Sequence, residues 1–132
     1  MAVFLDQAKQ KILDMRLGEA EETNIQIVKF AVSDFNYQRN PVTSQAVDLV
    51  SKLMIGTATE KNIKSAYKEE GSASTVVYEC ELTESECSGK SITAIALYDG
   101  DDMCVCIKTF PPKEKTGSRT MVFYLRDTFE GE

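Results

Sequence analysis

The chain contains no histidine and no tryptophan among its 132 residues. Histidine is the side chain that titrates nearest to neutral pH, and it is the usual partner of a catalytic serine or cysteine. Its absence excludes most catalytic triads. The sequence also lacks both the G-x-G-x-x-G and the Walker A patterns of phosphate-binding loops. We therefore predict that the protein is not an enzyme and binds no cofactor.

The chain also lacks an apolar run long enough to cross a bilayer, and its first residues show no signal-peptide pattern. The formal net charge of −6 disfavours binding to nucleic acid or to anionic lipid. We expect neither a membrane nor a nucleic acid among its partners. Hydrophobic residues make up 42% of the chain, which is ordinary for a soluble protein of one domain, here spanning residues 1–132.

Four cysteines occur without a C-x-x-C spacing: Cys80, Cys87, Cys104 and Cys106. This is a poor pattern for zinc, and thiols in a chain without an export signal usually stay reduced. We predict no metal site and expect the cysteines to act as small hydrophobic residues. Cys104 and Cys106 are expected on one face of a strand, where Cys80 could contact either of them.

Residues 91–110 predict a β-hairpin, because Asp99-Gly100 lies between two apolar runs and suits a tight turn. Both faces of each run are largely apolar, so the hairpin is expected at the centre of a fold or an interface. Asp99, Asp101 and Asp102 are expected to keep its tip in water. The same carboxylates could bind calcium, although the remaining ligands of an EF-hand are missing.

The rest of the chain predicts an α+β fold, with an N-terminal amphipathic helix packed on a mainly antiparallel β-sheet or a small β-sandwich. The helix covers residues 4–16 and ends at Gly18, a residue suited to a left-handed cap. Residues 44–54 are ambiguous but have helical spacing, whereas residues 60–62 and 110–118 are expected to be a turn and a proline-containing loop. Strands are predicted at residues 25–32, 55–58, 63–67, 75–82 and 119–129.

Residues 33–43 form an irregular segment in which Phe35, Tyr37 and Arg39 alternate with polar residues. Aromatic stacking beside polar groups could bind a sugar or another polar ligand. A loop that is anchored by its aromatic residues is the alternative. This segment is the basis for a second hypothesis, a small carbohydrate- or ligand-binding module. An enzyme that uses acidic residues alone ranks third.

The order of these segments resembles the N-terminal domain of phage tail-collar fibre proteins. Five segments match: the helix at residues 4–16, the strand segment at residues 25–34, the hairpin segment at residues 92–101, Phe110-Pro111-Pro112, and the closing strand at residues 120–125. The glycine follows Asp99 directly, whereas in that family it comes later in the turn. The resemblance covers nearly the whole chain.

This resemblance implies a structural adaptor that attaches a fibre or spike to a phage tail, a baseplate or a related contractile injection particle. The implied partners are other tail, baseplate or fibre proteins, and the implied homo-oligomer is a trimer. Assembly in the host cytoplasm and a final place in the virion follow from the same resemblance. Partner contacts are expected in three segments, at Phe35, Tyr37, Arg39, Asp99, Asp101, Asp102, Pro111 and Lys113.

Overall fold

The computed structural model describes residues 2–19, 24–34 and 58–128. These residues form one short helix and eight strands, and every strand pairing is antiparallel. The predicted α+β class with mainly antiparallel sheets is thus confirmed in its coarse form. In chain order the elements are β1 (Ala2–Phe4), α1 (Asp6–Arg16), β2 (Ile27–Ser33), β3 (Ala58–Asn62), β4 (Ser65–Lys68), β5 (Thr75–Leu82), β6 (Lys90–Asp99), β7 (Cys104–Lys115) and β8 (Met121–Thr128).

The described strands form two sheets, one with the order β1-β7-β6-β2-β3 and one with the order β4-β5-β8. The predicted hairpin is confirmed as β6 and β7, which lie in the middle of the larger sheet. The tight turn predicted at Asp99-Gly100 is wrong, because residues 100–103 connect the strands and the left-handed residue is Asp102, with φ of +65°. Across this longer turn the Asp99 amide donates to the Met103 carbonyl at 3.0 Å. The predicted strand at residues 75–82 has the bounds of β5, and β8 lies within the predicted closing strand.

Both faces of β6 are buried within a single chain. Successive residues of a strand point to opposite faces, and Ala94, Ile95, Ala96 and Leu97 are all at most 3% exposed. Ile95 and Leu97 belong to a hydrophobic core that contains side chains from both sheets and from α1. The expectation that the hairpin is covered on both faces is confirmed for β6, whereas β7 is exposed from Pro111 to Glu114. The core consists of Ala8, Ile27, Phe30, Val32, Cys80, Leu82, Ile92, Ile95, Leu97, Val105 and Leu125.

Helix α1 begins after Leu5 and ends at Arg16, so the predicted helix is confirmed except at Phe4, which lies in β1, and at Leu5, which precedes the first helical turn. Asp6 in the first turn and Arg16 in the last are both favourable to the helix dipole. The helix stops because Gly18 takes a left-handed conformation with φ of +75°, as its sequence position predicts.

The turn predicted at residues 60–62 is wrong, because these residues belong to β3. Lys61 pairs with Phe30 of β2, and Glu60 pairs with Ala31. The strand is polar, so its sequence has no hydrophobic alternation that would reveal it. Backbone pairing with the buried strand β2 holds it instead, and the Lys61 ammonium donates to the Glu81 carbonyl at 2.7 Å. The predictions for residues 35–43 and 44–54, and for residues 55–57 of the predicted strand, concern residues outside the described ranges.

The loop predicted at residues 110–118 is also wrong in its first half, because β7 continues through Pro111 and Pro112 to Lys115. Proline lacks an amide donor and therefore cannot occupy an ordinary position inside a ladder. The register, however, passes from the Ala94–Thr109 pair directly to the Ile92–Lys113 pair. Both prolines lie in this bulge, where no partner requires their amide.

A second bulge separates the two cysteines of β7. Leu97 pairs with Cys106 and Tyr98 with Cys104, which leaves Val105 as the extra residue. Val105 belongs to the core and Cys106 packs against it, whereas Cys104 is not part of that cluster. The prediction that Cys104 and Cys106 share one face is therefore wrong, because the bulge interrupts the alternation.

A candidate binding cleft and the hairpin tip

A cleft of about 310 Å³ lies between the two sheets. Its volume is at the lower end of the range for small-molecule sites. Apolar side chains from β1, β2, β6, β7 and β8 form most of its wall, and polar side chains from β5, β7 and β8 complete it. The apolar residues are Phe4, Ile27, Leu97, Val105 and Leu125; the polar residues are Tyr78, Cys106, Lys108, Tyr124, Arg126 and Asp127.

Strand pairing brings these residues together. Tyr78 of β5 pairs with Leu125 of β8, and Val76 pairs with Asp127. Leu125 and Asp127 are two residues apart on one strand, so they share a face. Because Leu125 is 6% exposed and belongs to the core, this face of β8 points towards the interior. The Asp127 carboxylate is thus placed beside apolar side chains.

The position of Asp127 changes its own acidity and that of its neighbours. Burial raises the pKa of the Asp127 carboxyl above its ordinary value, because the charged form is poorly solvated. Burial, and next the charge of Asp127, raise the pKa of Tyr78 to about 12. Tyr78 is therefore neutral at physiological pH. Asp127 lines the cleft, and no cation among residues 2–19, 24–34 and 58–128 lies at ion-pair distance from it.

The two basic residues of the cleft are placed differently. The Arg126 Nε donates to the Glu69 carboxylate at 2.9 Å, so its charge is paired at the surface. Lys108 lies on β7, in the opposite sheet from Asp127. An apolar cleft with one partly buried carboxylate can hold a small molecule and orient it through a charge-assisted hydrogen bond.

Cys106 also lines the cleft, and Cys80 lies in the core beneath it. Burial raises the pKa of both thiols to about 12, and each shift has a further electrostatic contribution, from Asp127 for Cys106 and from Cys106 for Cys80. Such thiols are protonated at neutral pH and are poor nucleophiles. Cys106 contributes to the raised pKa of Cys80, and both residues pack in or against the same core cluster.

The hairpin tip is organised around Asp99, whose side chain is only 2% exposed. One carboxylate oxygen accepts the amides of Asp101 and Met103, both at 3.0 Å, and the other accepts the Lys11 ammonium at 2.6 Å. The expectation that all acidic residues of the tip lie in water is wrong for Asp99. Helix α1 covers it and supplies the balancing charge.

Asp101 and Asp102 also have cationic partners within the chain. Asp101 lies 2.8 Å from the Lys11 ammonium and accepts the Asn24 amide at 2.9 Å. The Asn24 amide and then Lys11 lower the pKa of Asp101. Asp102, which is 73% exposed and has a φ of +65°, forms an ion pair with Lys29. Hydrogen bonding to Asp102 is the main cause that raises the pKa of Lys29.

The remaining predicted contact residues lie elsewhere. Pro111 and Lys113 are exposed on the second half of β7, and the Lys113 ammonium lies 5.7 Å from the centre of the Phe110 ring. The structure thus separates them from the cleft. Phe35, Tyr37 and Arg39 lie outside the described residues.

Three residues of these sites were not predicted from the sequence: Tyr78, Asp127 and Lys11. The pattern of β5 places Tyr78 in an apolar stripe, and Lys11 is one of several polar residues of the helix, so neither position indicates a site. Asp127 carries a usable signal, because it follows Leu125 by two residues and so continues the inward face of a strand with a carboxylate.

Comparison with known proteins gives no match: no family model, no curated protein and no solved structure is similar to this chain. In the described part of the chain, no helix has the length and apolar character that a bilayer span requires. The same residues contain no group of three or more histidine, cysteine, aspartate or glutamate side chains that could hold a metal ion.

Proposed function

We propose that the protein is a structural attachment protein that links a fibre or spike to a phage tail, a baseplate or a related contractile injection particle. The observation that supports this proposal is the order of the described elements. Helix α1, strand β2, the β6–β7 hairpin and strand β8 follow one another as the resembling segments do. The hairpin also occupies the centre of its sheet.

Within this function, the exposed residues next to ordered elements are the proposed contact surfaces. Asp101 and Asp102 are held by Lys11 and Lys29, so the tip has a defined shape before any partner binds. Such preorganisation reduces the entropy lost on association. Pro111 and Lys113 present a second surface on β7.

Labelling of particles tests the attachment function. An antibody raised against the purified chain is applied to phage-like or contractile particles from the source strain and imaged by immunogold electron microscopy. We expect label at one position on the tail, and light scattering after size-exclusion chromatography should give a trimer. Unlabelled particles together with a strictly monomeric chain would overturn the proposal.

Charge reversal then tests the contact surfaces. We expect Lys113→Glu to reduce incorporation of the chain into particles, whereas the exposed Lys68→Glu on β4 should leave incorporation unchanged. Equal incorporation of both variants would show that Lys113 is not a contact residue, and it would not contradict the attachment function.

A small ligand-binding module is the second candidate function, and the cleft beside Asp127 is the observation that favours it. The carbohydrate site at Phe35, Tyr37 and Arg39 stays a prediction, which a glycan array with the Tyr37→Ala variant tests. Saturable glycan binding that this variant loses would support that site. No binding, or binding that the variant keeps, would exclude it.

A further inference from the structure

The cleft between the sheets combines an apolar wall with a carboxylate that forms no ion pair with any residue of the described ranges. Ile27, Leu97 and Leu125 in its wall are at most 7% exposed, so the cleft reaches into the core. Asp127 stands at this wall without a cation at ion-pair distance in the described ranges. Burying the ionised form of a carboxylate in apolar surroundings raises the free energy unless a group of opposite charge lies next to it.

The other polar groups of the cleft do not supply that partner. Tyr78 and Cys106 are neutral at physiological pH. Arg126 is engaged by Glu69 outside the cleft, and Lys108 stands on the opposite wall, with no ion pair to Asp127. Charge complementarity at Asp127 therefore calls for a cation that enters with the ligand.

We propose that the cleft binds a small aromatic amine, with its protonated nitrogen at Asp127 and its ring between the two sheets. This inference rests on the second candidate function and names the ligand class of its site. A volume of about 310 Å³ corresponds to roughly ten water molecules, which suits one ring system with a short side chain and is too small for a folded peptide. Phe4, Tyr78 and Tyr124 contribute aromatic side chains to the lining, and such side chains favour an aromatic ring and an ammonium group as ligands.

Three indole compounds with different charges provide the test: tryptamine, indole-3-propionate and neutral indole. The chain contains no tryptophan, so indole fluorescence anisotropy reports the ligand without interference from the protein. We expect tryptamine to bind at least about tenfold more tightly than either of the other two compounds, as one charge-assisted hydrogen bond implies. Backbone NMR shifts should map its site to β5, β7 and β8.

Two conservative variants test the proposed contact between the ligand's ammonium group and Asp127. Asp127→Asn should weaken tryptamine binding about tenfold and leave indole binding unchanged. The matched control, Asp14→Asn on helix α1, should bind tryptamine as the unmodified chain does. Both variants are checked for folding by circular dichroism and by NMR before titration.

The other outcomes overturn the proposal in distinguishable ways. Tighter binding of indole-3-propionate, lost in Lys108→Met, would make the cleft an anion site. Equal binding of all three compounds would leave an apolar pocket in which Asp127 plays no part. Absence of binding by all three would overturn both the amine site and the ligand-binding function of the cleft, while the attachment function would stand on its own test.

Discussion

The Lys11 ammonium on helix α1 lies 2.6 Å from the Asp99 carboxylate at the hairpin tip, and the two residues are 88 positions apart in the chain. Burial alone would lower the pKa of Lys11, but hydrogen bonds to Asp101 and Asp99 outweigh burial and raise it. Lys11 also donates to the Asn24 carbonyl at 3.2 Å. This one ammonium therefore joins the helix, the hairpin tip and the segment before β2.

Replacing Lys11 should destabilise the fold. Lys11→Met removes the charge that balances the buried Asp99, and we expect the free energy of unfolding to fall by about 3 kcal/mol. Asp99 keeps two backbone donors, which places the loss at the lower end for a broken buried pair. Urea denaturation measures the change. Lys9→Met on the same helix, an exposed residue 3.9 Å from Asp6, should change stability by less than about 0.5 kcal/mol.

The fit of Gly100 against Asn24 gives a second prediction. A β-carbon at Gly100 would overlap the Asn24 side-chain amide, so we expect Gly100→Ala to destabilise by about 1–3 kcal/mol. Gly117→Ala is the control, since the nearest atom there is a Ser88 hydroxyl that can rotate away. Adding Asn24→Ala to Gly100→Ala should restore part of the stability. A double variant no more stable than the single one would contradict the steric explanation.

Glu86 should contribute to stability against acid. Its carboxylate accepts the Lys61 ammonium at 2.7 Å, the Thr83 amide at 2.7 Å and the Thr83 hydroxyl at 2.8 Å. These bonds, that of Lys61 first, lower its pKa from 4.5 to about 2. The lowered pKa in the folded state means that the contribution is complete above pH 4.5 and is lost as the pH falls towards 2. Thermal melts across this window should show a smaller loss for Glu86→Gln than for the unmodified chain. An NMR titration that finds the Glu86 carboxyl at its ordinary pKa would contradict this.

Asp127 should affect the pH dependence of stability in the direction opposite to Glu86. Its folded pKa is raised above the ordinary 3.8, so the ionised form is favoured in the unfolded chain and stability falls as the pH rises through the folded value. We expect Asp127→Asn to unfold at a higher temperature than the unmodified chain at pH 7, and the difference to disappear below pH 3.8. Binding sites commonly cost stability in this way. Identical melting curves at pH 7 would show that Asp127 is well solvated.

The buried thiols should resist modification. With pKa values of about 12, Cys80 and Cys106 carry almost no thiolate at neutral pH in the folded protein. We expect iodoacetamide to leave both unlabelled in the native chain and to label all four cysteines in urea, as read by peptide mass spectrometry. Rapid native labelling of Cys106 would mean that the cleft opens widely in solution.

The sequence predicted those elements whose apolar pattern and turn residues agree. Tyr78, Cys80 and Leu82 alternate with the polar residues Glu79 and Glu81, and β5 has the predicted bounds. Strand β3 was not predicted, because Lys61 and Asn62 are held by pairing with β2 and not by burial of apolar side chains. The two bulges of β7 were not predicted either, because the register of β7 depends on its pairing with β6. The cleft joins Phe4, Tyr78 and Asp127, a proximity that only tertiary structure creates.

The pairing of β1 with β7 has a consequence for how the chain folds. Ala2 pairs with Lys108 and Phe4 with Cys106, so the first strand gains its partner only after more than a hundred residues have been synthesised. Strand β2 can pair earlier with β3, but its other edge waits for β6. Closing such long loops before any contact forms slows folding, and domains dominated by distant strand pairs fold in milliseconds to seconds. On the ribosome, β1 and one edge of β2 therefore remain unpaired until the hairpin emerges, and this interval is when the nascent chain is most exposed to aggregation.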